Sequence, residues 1–188
     1  MSETVNDFSE RLSARLKVER ERRGWSLAEL AQRSGVSKAM ISRIERSEAS
    51  PTAALLGRLS GAFGLTLSML LGRLDGTGER LRRAAEQPVW TDPGSGYVRR
   101  QISPAEATPL ELTQVRMPPG AAVAMPASSY AFIRQLIWVQ EGTLSLVEGG
   151  QRLSLDAGDC LAFGPPQDRE FRNEDAVECI YVVAVARL

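Results

Sequence analysis

The sequence predicts two domains, an all-α domain followed by an all-β domain. From Phe8 to about Leu71, apolar residues recur at three- and four-residue spacing, which predicts five short helices. From about Gln87, short alternating runs are separated by Gly and Pro, which is typical of short strands. Residues 1–86 carry 15 basic and 11 acidic side chains, whereas residues 87–188 carry 8 and 12. This asymmetry indicates that the two domains meet different partners.

The composition restricts the classes of function. The 188 residues carry 23 basic and 23 acidic side chains and no histidine. Because histidine is the commonest metal ligand and general base, its absence predicts a protein that is not an enzyme and holds no metal or cofactor. No apolar run approaches the roughly 18 residues of a membrane-spanning helix, and the first ten residues are polar. We therefore expect a cytoplasmic protein.

The first two helices have clear boundaries. The first is predicted from Phe8 to Arg23, with apolar positions facing inward and Gly24 ending it. The second begins at Ser26, where the hydroxyl and Glu29 form the pattern of a capping box.

The third helix completes a helix-turn-helix. Residues 34–37 turn the chain, and Ser37 can cap a helix from Lys38 to Arg46. Ile41 and Ile44 lie three apart, so they can dock this helix while its other faces remain exposed. Two helices joined by a tight turn containing glycine form the motif that places its second helix in the major groove of DNA.

The second half is predicted to contain evenly spaced strands, typical of a small barrel or jelly roll. The predicted strands are 110–115, 133–139, 144–147, 152–155, 160–163 and 167–173. A segment rich in Gly and Pro, with a short helix at 79–86, precedes them.

The run from Arg23 to Arg46, RGWSLAELAQRSGVSKAMISRIER, resembles the helix-turn-helix domains of phage-repressor (Cro/repressor-like, XRE-type) regulators. The resemblance continues through Ser50-Pro51-Thr52 and through 55–65, and covers nearly all of residues 8–71. It implies DNA binding by eight residues. Lys38, Ala39 and Arg43 take positions that meet base edges, Ser26, Ser37 and Ser42 meet phosphate or flank the groove, and Arg22 and Arg46 are further contacts. The alternatives are capping alone for Ser26 and Ser37, a solvated charge for Arg43 and a structural hydrogen bond for Glu45.

The second half resembles a cupin, a jelly-roll β-barrel, over about residues 108–187. The resemblance rests on the order and spacing of 139–142, Gly158-Asp159, 163–166 and 171–173. Cupin enzymes hold a metal with histidines and a glutamate, but here those positions fall on Ser128 to Ala131, Gln135 and Arg169. Hydroxyls, an amide and a permanent cation cannot assemble a transition-metal site, so we expect that this domain binds no metal.

A pocket can remain where the metal site is absent. If the last strand alternates, Arg169 and Phe171 point into the barrel, and a buried Arg169 needs either an internal carboxylate or an anionic effector as its partner. Tyr130 and Gln135 would supply orienting hydrogen bonds, although Tyr130 also suits ordinary packing. Trp138 should face away from Gln135, either for packing on the second sheet or for a dimer or inter-domain contact. Cys160 and Cys179 are expected to be small buried residues.

The expected division is a helix-turn-helix domain at 8–71, a linker with lead-in strands at 72–107, and a cupin-like domain for effector binding or dimerisation at 108–188. The predicted function is a sequence-specific DNA-binding transcriptional regulator, with repression as the commoner mode. A homodimer would present two recognition helices about 34 Å apart to a pseudo-palindromic operator. The alternative is an interaction module whose barrel only dimerises. An enzyme would need turnover without histidine or metal.

Overall fold

The structure is a computed structural model that describes residues 5–72, 80–104 and 109–188. Within these residues, five helices precede ten strands, so the predicted order of domains is confirmed. The helices are α1 (Val5–Arg22), α2 (Leu27–Ser34), α3 (Lys38–Glu45), α4 (Ala53–Phe63) and α5 (Leu67–Leu71). The strands are β1 (Val89–Thr91), β2 (Val98–Gln101), β3 (Leu110–Met117), β4 (Ala122–Met125), β5 (Ile133–Glu141), β6 (Thr143–Glu148), β7 (Gln151–Asp156), β8 (Cys160–Ala162), β9 (Arg169–Arg172) and β10 (Cys179–Arg187).

The helical domain closes around one apolar core. Leu16 of α1, Leu30 of α2, Ile44 of α3 and Leu56 of α4 are each at most 1% exposed. Each of these helices therefore buries one apolar face and leaves its charged face in solvent. Helix α1 begins at Val5, slightly earlier than predicted. Among the described helices, none combines the length and apolarity needed to cross a bilayer.

The β domain consists of two antiparallel sheets. One has six strands in the order β1-β2-β3-β10-β5-β8, and the other has four in the order β4-β9-β6-β7. Ile137 and Val139 of β5 face Leu144 and Leu146 of β6 across the interior. All four side chains are fully buried. No ladder joins the two sheets within the described residues, and each sheet ends in its own edge strands. The β-rich domain is therefore as predicted, but a closed barrel is not formed. The edge strands of the six-stranded sheet, β1 and β8, do not pair with those of the four-stranded sheet, β4 and β7.

The segment between the domains departs from its prediction. The start of the helix expected at 79–86 lies outside the described residues, and the rest contains only a 3₁₀ turn at Ala84–Glu86. Gln87 and Pro88 follow, and a proline disfavours helical conformation in the residue before it, which here is Gln87. Strands β1 and β2 then pair with each other, and β2 pairs with β3, so this segment extends the six-stranded sheet.

Polar contacts connect the two domains. Asp92, which follows β1, accepts a hydrogen bond of 2.7 Å from the Ala53 amide at the start of α4. The Ser129 hydroxyl donates to the Gly57 carbonyl of α4 at 2.9 Å. The hydroxyl of Thr66, which caps α5, donates to the buried Glu111 of β3 at 2.8 Å. Helices α4 and α5 are therefore attached directly to the β domain.

A row of apolar residues crosses the outward face of the six-stranded sheet. Leu112, Ala184, Leu136 and Ala162 form one row across β3, β10, β5 and β8, because the strand registers place them opposite one another. Leu112, Leu136 and Trp138 are 40%, 39% and 46% exposed. The expectation that Trp138 packs on the second sheet is therefore wrong, since it faces away from that sheet.

The two cysteines differ. Cys160 pairs in register with Trp138 on this outward face and is exposed, so the expectation that it is buried is also wrong. Cys179 is buried as expected, and burial raises the pKa of its thiol to about 11. At neutral pH the Cys179 side chain is therefore a small neutral residue of the core.

Candidate DNA-binding surface and barrel interior

Local capping builds the helix-turn-helix as predicted. The Ser26 hydroxyl accepts from the Glu29 amide at 3.2 Å, while the Glu29 carboxylate accepts from the Ser26 amide at 2.7 Å. The hydrogen bond from the Ser26 amide is the main cause that lowers the pKa of the Glu29 carboxyl, and the two contacts together form a complete capping box. Gly35 then takes the left-handed conformation that ends α2, with φ of 66°. The Ser37 hydroxyl accepts from the Met40 amide at 3.2 Å and starts α3.

Helix α3 presents a small and basic face to solvent. Ile41 and Ile44 are buried against the rest of the domain, whereas Lys38, Ala39 and Arg43 are exposed. Neither the Lys38 nor the Arg43 side chain forms a hydrogen bond or an ion pair with another described residue. Two cations and a methyl group on one accessible helix face are suited to phosphates and base edges in the major groove.

Glu45 holds the recognition helix in place. Its carboxylate accepts two hydrogen bonds from the Arg20 guanidinium of α1, at 2.7 and 2.8 Å, and only 8% of its side chain is exposed. A paired, bidentate contact of this kind fixes geometry as well as charge. The structural role expected for Glu45 is therefore what the structure contains.

The remaining predicted contacts border α3. Arg22, Ser26 and Ser37 are exposed, and Ser42 is half-buried. Arg46 is exposed but is paired with Glu48 at 2.7 Å, so DNA contact would require it to exchange a partner.

The barrel interior brings two of the three predicted effector residues together. Tyr130 and Gln135 line one cavity of about 70 Å³, which also reaches residues of α4 and of the turn that leads into α5. Arg169 and Phe171 point inward as predicted, but Arg169 does not line this cavity.

Arg169 has the internal carboxylate partner that was one of its two expected arrangements. Its Nε donates to Glu148 at 2.6 Å, and its guanidinium also lies against the rings of Tyr130 and Phe163, 4.4 and 4.2 Å from their centroids. One terminal nitrogen also donates to the Pro165 carbonyl at 3.2 Å, while the other has no hydrogen-bond partner among the described residues. The Arg169 guanidinium, paired with Glu148, therefore packs against the face of the Tyr130 ring.

The serines at the positions of cupin histidines contact α4. Ser129 is engaged with α4, and Ser128 packs against Gly61 of the same helix. This part of the expected metal-site region therefore belongs to the contact between domains.

Tyr97 and Arg99 are two polar residues of the cavity that the sequence did not predict as site residues. Both lie in or next to β2, in the segment treated as a linker, so no strand pattern assigned them to the interior. The only available signal was the alternation in Tyr97-Val98-Arg99, which places both side chains on one face. Arg99 donates to the hydroxyls of Ser68 and Thr113, at 3.2 and 3.4 Å.

The chain's three tyrosines form a cluster inside the β domain. Tyr97, Tyr130 and Tyr181 are 3%, 7% and 4% exposed, and all three line the cavity. Burial is the main cause that raises the pKa of each hydroxyl, and the positive charge of Arg99 opposes it. All three phenols are therefore protonated at neutral pH and can donate hydrogen bonds.

Comparisons with known proteins agree with this geometry. The helix-turn-helix family model (HTH_3) matches residues 16–70. The Escherichia coli (strain K12) HTH-type transcriptional regulator SutR is 29% identical over 86% of this chain and 86% of its own length. The Bacillus subtilis (strain 168) HTH-type transcriptional regulator SinR is 33% identical over 39% of this chain and 76% of its own length.

One solved structure reproduces the whole fold. The HTH_3 family transcriptional regulator from Vibrio cholerae superposes on 98% of this chain and 99% of its own, with a TM-score of 0.81 at 24% identity. The arrangement of a helix-turn-helix domain against a two-sheet β domain therefore occurs in that protein as well. Together with the capped helices and the exposed face of α3, the matches establish that this chain belongs to the DNA-binding family of helix-turn-helix transcriptional regulators.

Proposed function

We propose that this protein is a cytoplasmic, homodimeric transcriptional repressor that binds DNA sequence-specifically. Its cupin-like domain responds to a small molecule. The observation that carries the DNA-binding part is the exposed face of α3, where Lys38, Ala39 and Arg43 lie together. Because neither cation has a partner among the residues that the structure describes, both can meet DNA without giving up a contact seen there.

The eight residues divide into three roles. Lys38, Ala39 and Arg43 read base edges, and Ser42 lies beside them at the groove wall. Ser26 and Ser37 cap α2 and α3, so the positive ends of these helices can face phosphates. Arg22 and Arg46 are flanking phosphate contacts.

Selection from a random duplex DNA library tests the proposal. The wild-type protein should enrich one two-fold-symmetric site, and Arg43→Ala and Lys38→Ala should lose it, by about 1–3 kcal/mol for a base contact. Lys17→Ala is the matched control, because Lys17 is an exposed lysine on α1 of the same domain. Enrichment that is equal in all four proteins, or absent from the wild type at a moderate, stated salt concentration, would contradict α3 as the reading element.

The outward face of the six-stranded sheet is the proposed dimer contact. It carries a contiguous row of Leu112, Ala184, Leu136 and Ala162, with Trp138 beside it, rather than scattered apolar residues. A second copy is the occupant we propose, because a single domain makes few phosphate contacts and a pair doubles them. In sedimentation experiments the wild type should be a dimer and Trp138→Arg a folded monomer, whereas a dimeric Trp138→Arg protein would refute this face.

The effector part of the proposal places Tyr130 and Gln135 in contact with the ligand. Arg169 acts beneath them by holding the Tyr130 ring, rather than by binding the effector directly.

The second candidate function is the interaction module whose barrel only dimerises. The internal pair between Arg169 and Glu148 favours it, since that pair removes one reason for an anionic ligand at Arg169. Thermal-shift screening separates the two candidates, because only a ligand-responsive domain gains stability from a small molecule and changes its operator affinity with it.

A further inference from the structure

The cavity of the β domain combines three kinds of lining. Residues of both sheets form an apolar wall that includes Ile137 and Val183. Helix α4 and the region of α5 form one side of the cavity. Arg99 of β2 and Tyr97, just before that strand, supply polar groups. Its volume of about 70 Å³ corresponds to about five water molecules. A guest of this site is therefore small, and it contacts both domains.

Tyr97 is an unpartnered polar group at this cavity. Its side chain is 3% exposed, and its hydroxyl has no hydrogen-bond partner among the described residues. A buried hydroxyl without a partner is costly to a fold, so a site that keeps one commonly provides a place for an acceptor.

Arg99 supplies a positive charge without a carboxylate. Within the described residues, its guanidinium donates hydrogen bonds to the neutral hydroxyls of Ser68 and Thr113, and its charge also acts on the neutral Tyr97 phenol. Glu111 also lines the cavity, but its oxygens accept from Thr66, and Arg187 lies 3.9 Å away, so this acid already has partners. The charge that remains to be matched inside the cavity is therefore the positive one.

We propose that this cavity binds a short-chain organic carboxylate, with Arg99 as its cationic contact, Tyr97 and Gln135 as hydrogen-bond donors, and the apolar wall around its tail. The inference rests on the proposed regulator and identifies the class of its effector. Guanidinium groups bind carboxylates through paired charge-assisted hydrogen bonds, and the phenols near Arg99 are protonated donors. A tetrahedral inorganic oxyanion would satisfy Arg99 but would leave the apolar wall without a partner.

The site also connects to the DNA-binding domain. Arg99 donates to Ser68 of α5, and the cavity wall includes Gly57 and Ser60 of α4. A carboxylate that draws the Arg99 guanidinium toward itself competes with its contact to Ser68. Binding therefore acts on the attachment of α4 and α5, and through α4 on its packing neighbour α2, which in turn packs against α3.

Titration of the full-length protein tests the site. Sodium butyrate, sodium acetate and sodium sulfate are compared with sodium chloride at constant ionic strength, by calorimetry and by thermal midpoint. Butyrate should bind saturably and more tightly than acetate, and sulfate should bind least. Saturable binding of sulfate but not of butyrate would overturn the carboxylate assignment, and no saturable binding beyond chloride would overturn the site.

Three variants give the test its specificity. Arg99→Gln should weaken butyrate binding by about tenfold or more, whereas Arg100→Gln, the next residue of β2 on the opposite face, should not. Tyr97→Phe should raise the thermal midpoint of the unliganded protein, because it removes an unpartnered hydroxyl, and should weaken butyrate binding at the same time. A folded Arg99→Gln protein, or Tyr97→Phe, that binds butyrate as the wild type does would refute the assignment.

Failure here is distinguishable from failure of the proposed function. Selection of an operator without any butyrate binding overturns this inference and leaves the DNA-binding proposal in place. Butyrate binding that depends on Arg99, without any selected operator, supports the site and overturns the regulator to which it was assigned.

Discussion

Replacing Asp92 by alanine should destabilise the attachment of α4 to the β domain. Asp92 is 4% exposed, and its carboxylate accepts from the Ala53 amide at 2.7 Å and from the amide and hydroxyl of Ser95 at 2.7 and 2.6 Å. Thr52, at the N-cap position of α4, makes no side-chain capping hydrogen bond, so Asp92 performs that role from the other domain.

The magnitude follows from the three hydrogen bonds. A hydrogen bond to a charged group contributes about 1.5–3 kcal/mol net, and a helix cap about 1 kcal/mol. Ser95 is half-exposed and can be rehydrated, whereas Ala53 is 1% exposed and its amide cannot reach water without rearrangement. The expected loss is about 3 kcal/mol of unfolding free energy, or about 6–12 °C in the thermal midpoint for a chain of this length.

Urea unfolding followed by circular dichroism measures this loss. The control is Asp168→Ala, because Asp168 also accepts from the first amide of a helical turn, that of Ala127 at 2.8 Å, but is exposed. The control should lose no more than about 1 kcal/mol. A loss below about 1 kcal/mol for Asp92→Ala, or equal losses in the two variants, would refute the argument that burial makes this contact between domains expensive to break.

Three further predictions concern the core, the contact between domains and α3. Burial raises the pKa of all three tyrosines, so their ionisation should not affect the free energy of unfolding below pH about 10. Above that pH, the free energy of unfolding should fall by up to about 1.4 kcal/mol per pH unit for each tyrosine, and tyrosinate absorbance should appear only on unfolding. Gly61→Ala should destabilise the protein by about 1 kcal/mol or more despite the gain in helix propensity, because its Cβ would lie 2.9 Å from a backbone carbonyl of the 3₁₀ turn; Gly57→Ala, which meets a flexible methionine, should cost less in the same urea titration. Glu45→Gln should lose about 2 kcal/mol because the Arg20 charge stays partly buried without its partner, whereas Glu48→Gln, whose ion pair is exposed, should change stability by less than about 0.5 kcal/mol, and equal effects in urea would contradict the difference in burial.

Local chemistry explains why the helical domain was predictable. Capping by Ser26 and Ser37, the turn at Gly35 and the spacing of Ile41 and Ile44 each depend on residues within a few positions of one another. Such short-range signals survive in the sequence, so the number of helices, their order and the exposed face of α3 followed from it. The alternation of β9 likewise predicted that Arg169 points inward.

The partners of those side chains depended on the tertiary structure. Glu148 lies 21 positions from Arg169, Glu45 lies 25 from Arg20, and Asp92 lies 39 from Ala53, and no periodicity connects residues at such distances. The sequence by itself determined the two domains, the capped recognition helix and the absence of histidine. Only the packing of strands from distant parts of the chain decided that the sheets stay open and that Arg99 and Tyr97 enter the cavity, because strand pairing is a long-range choice that local propensity does not encode.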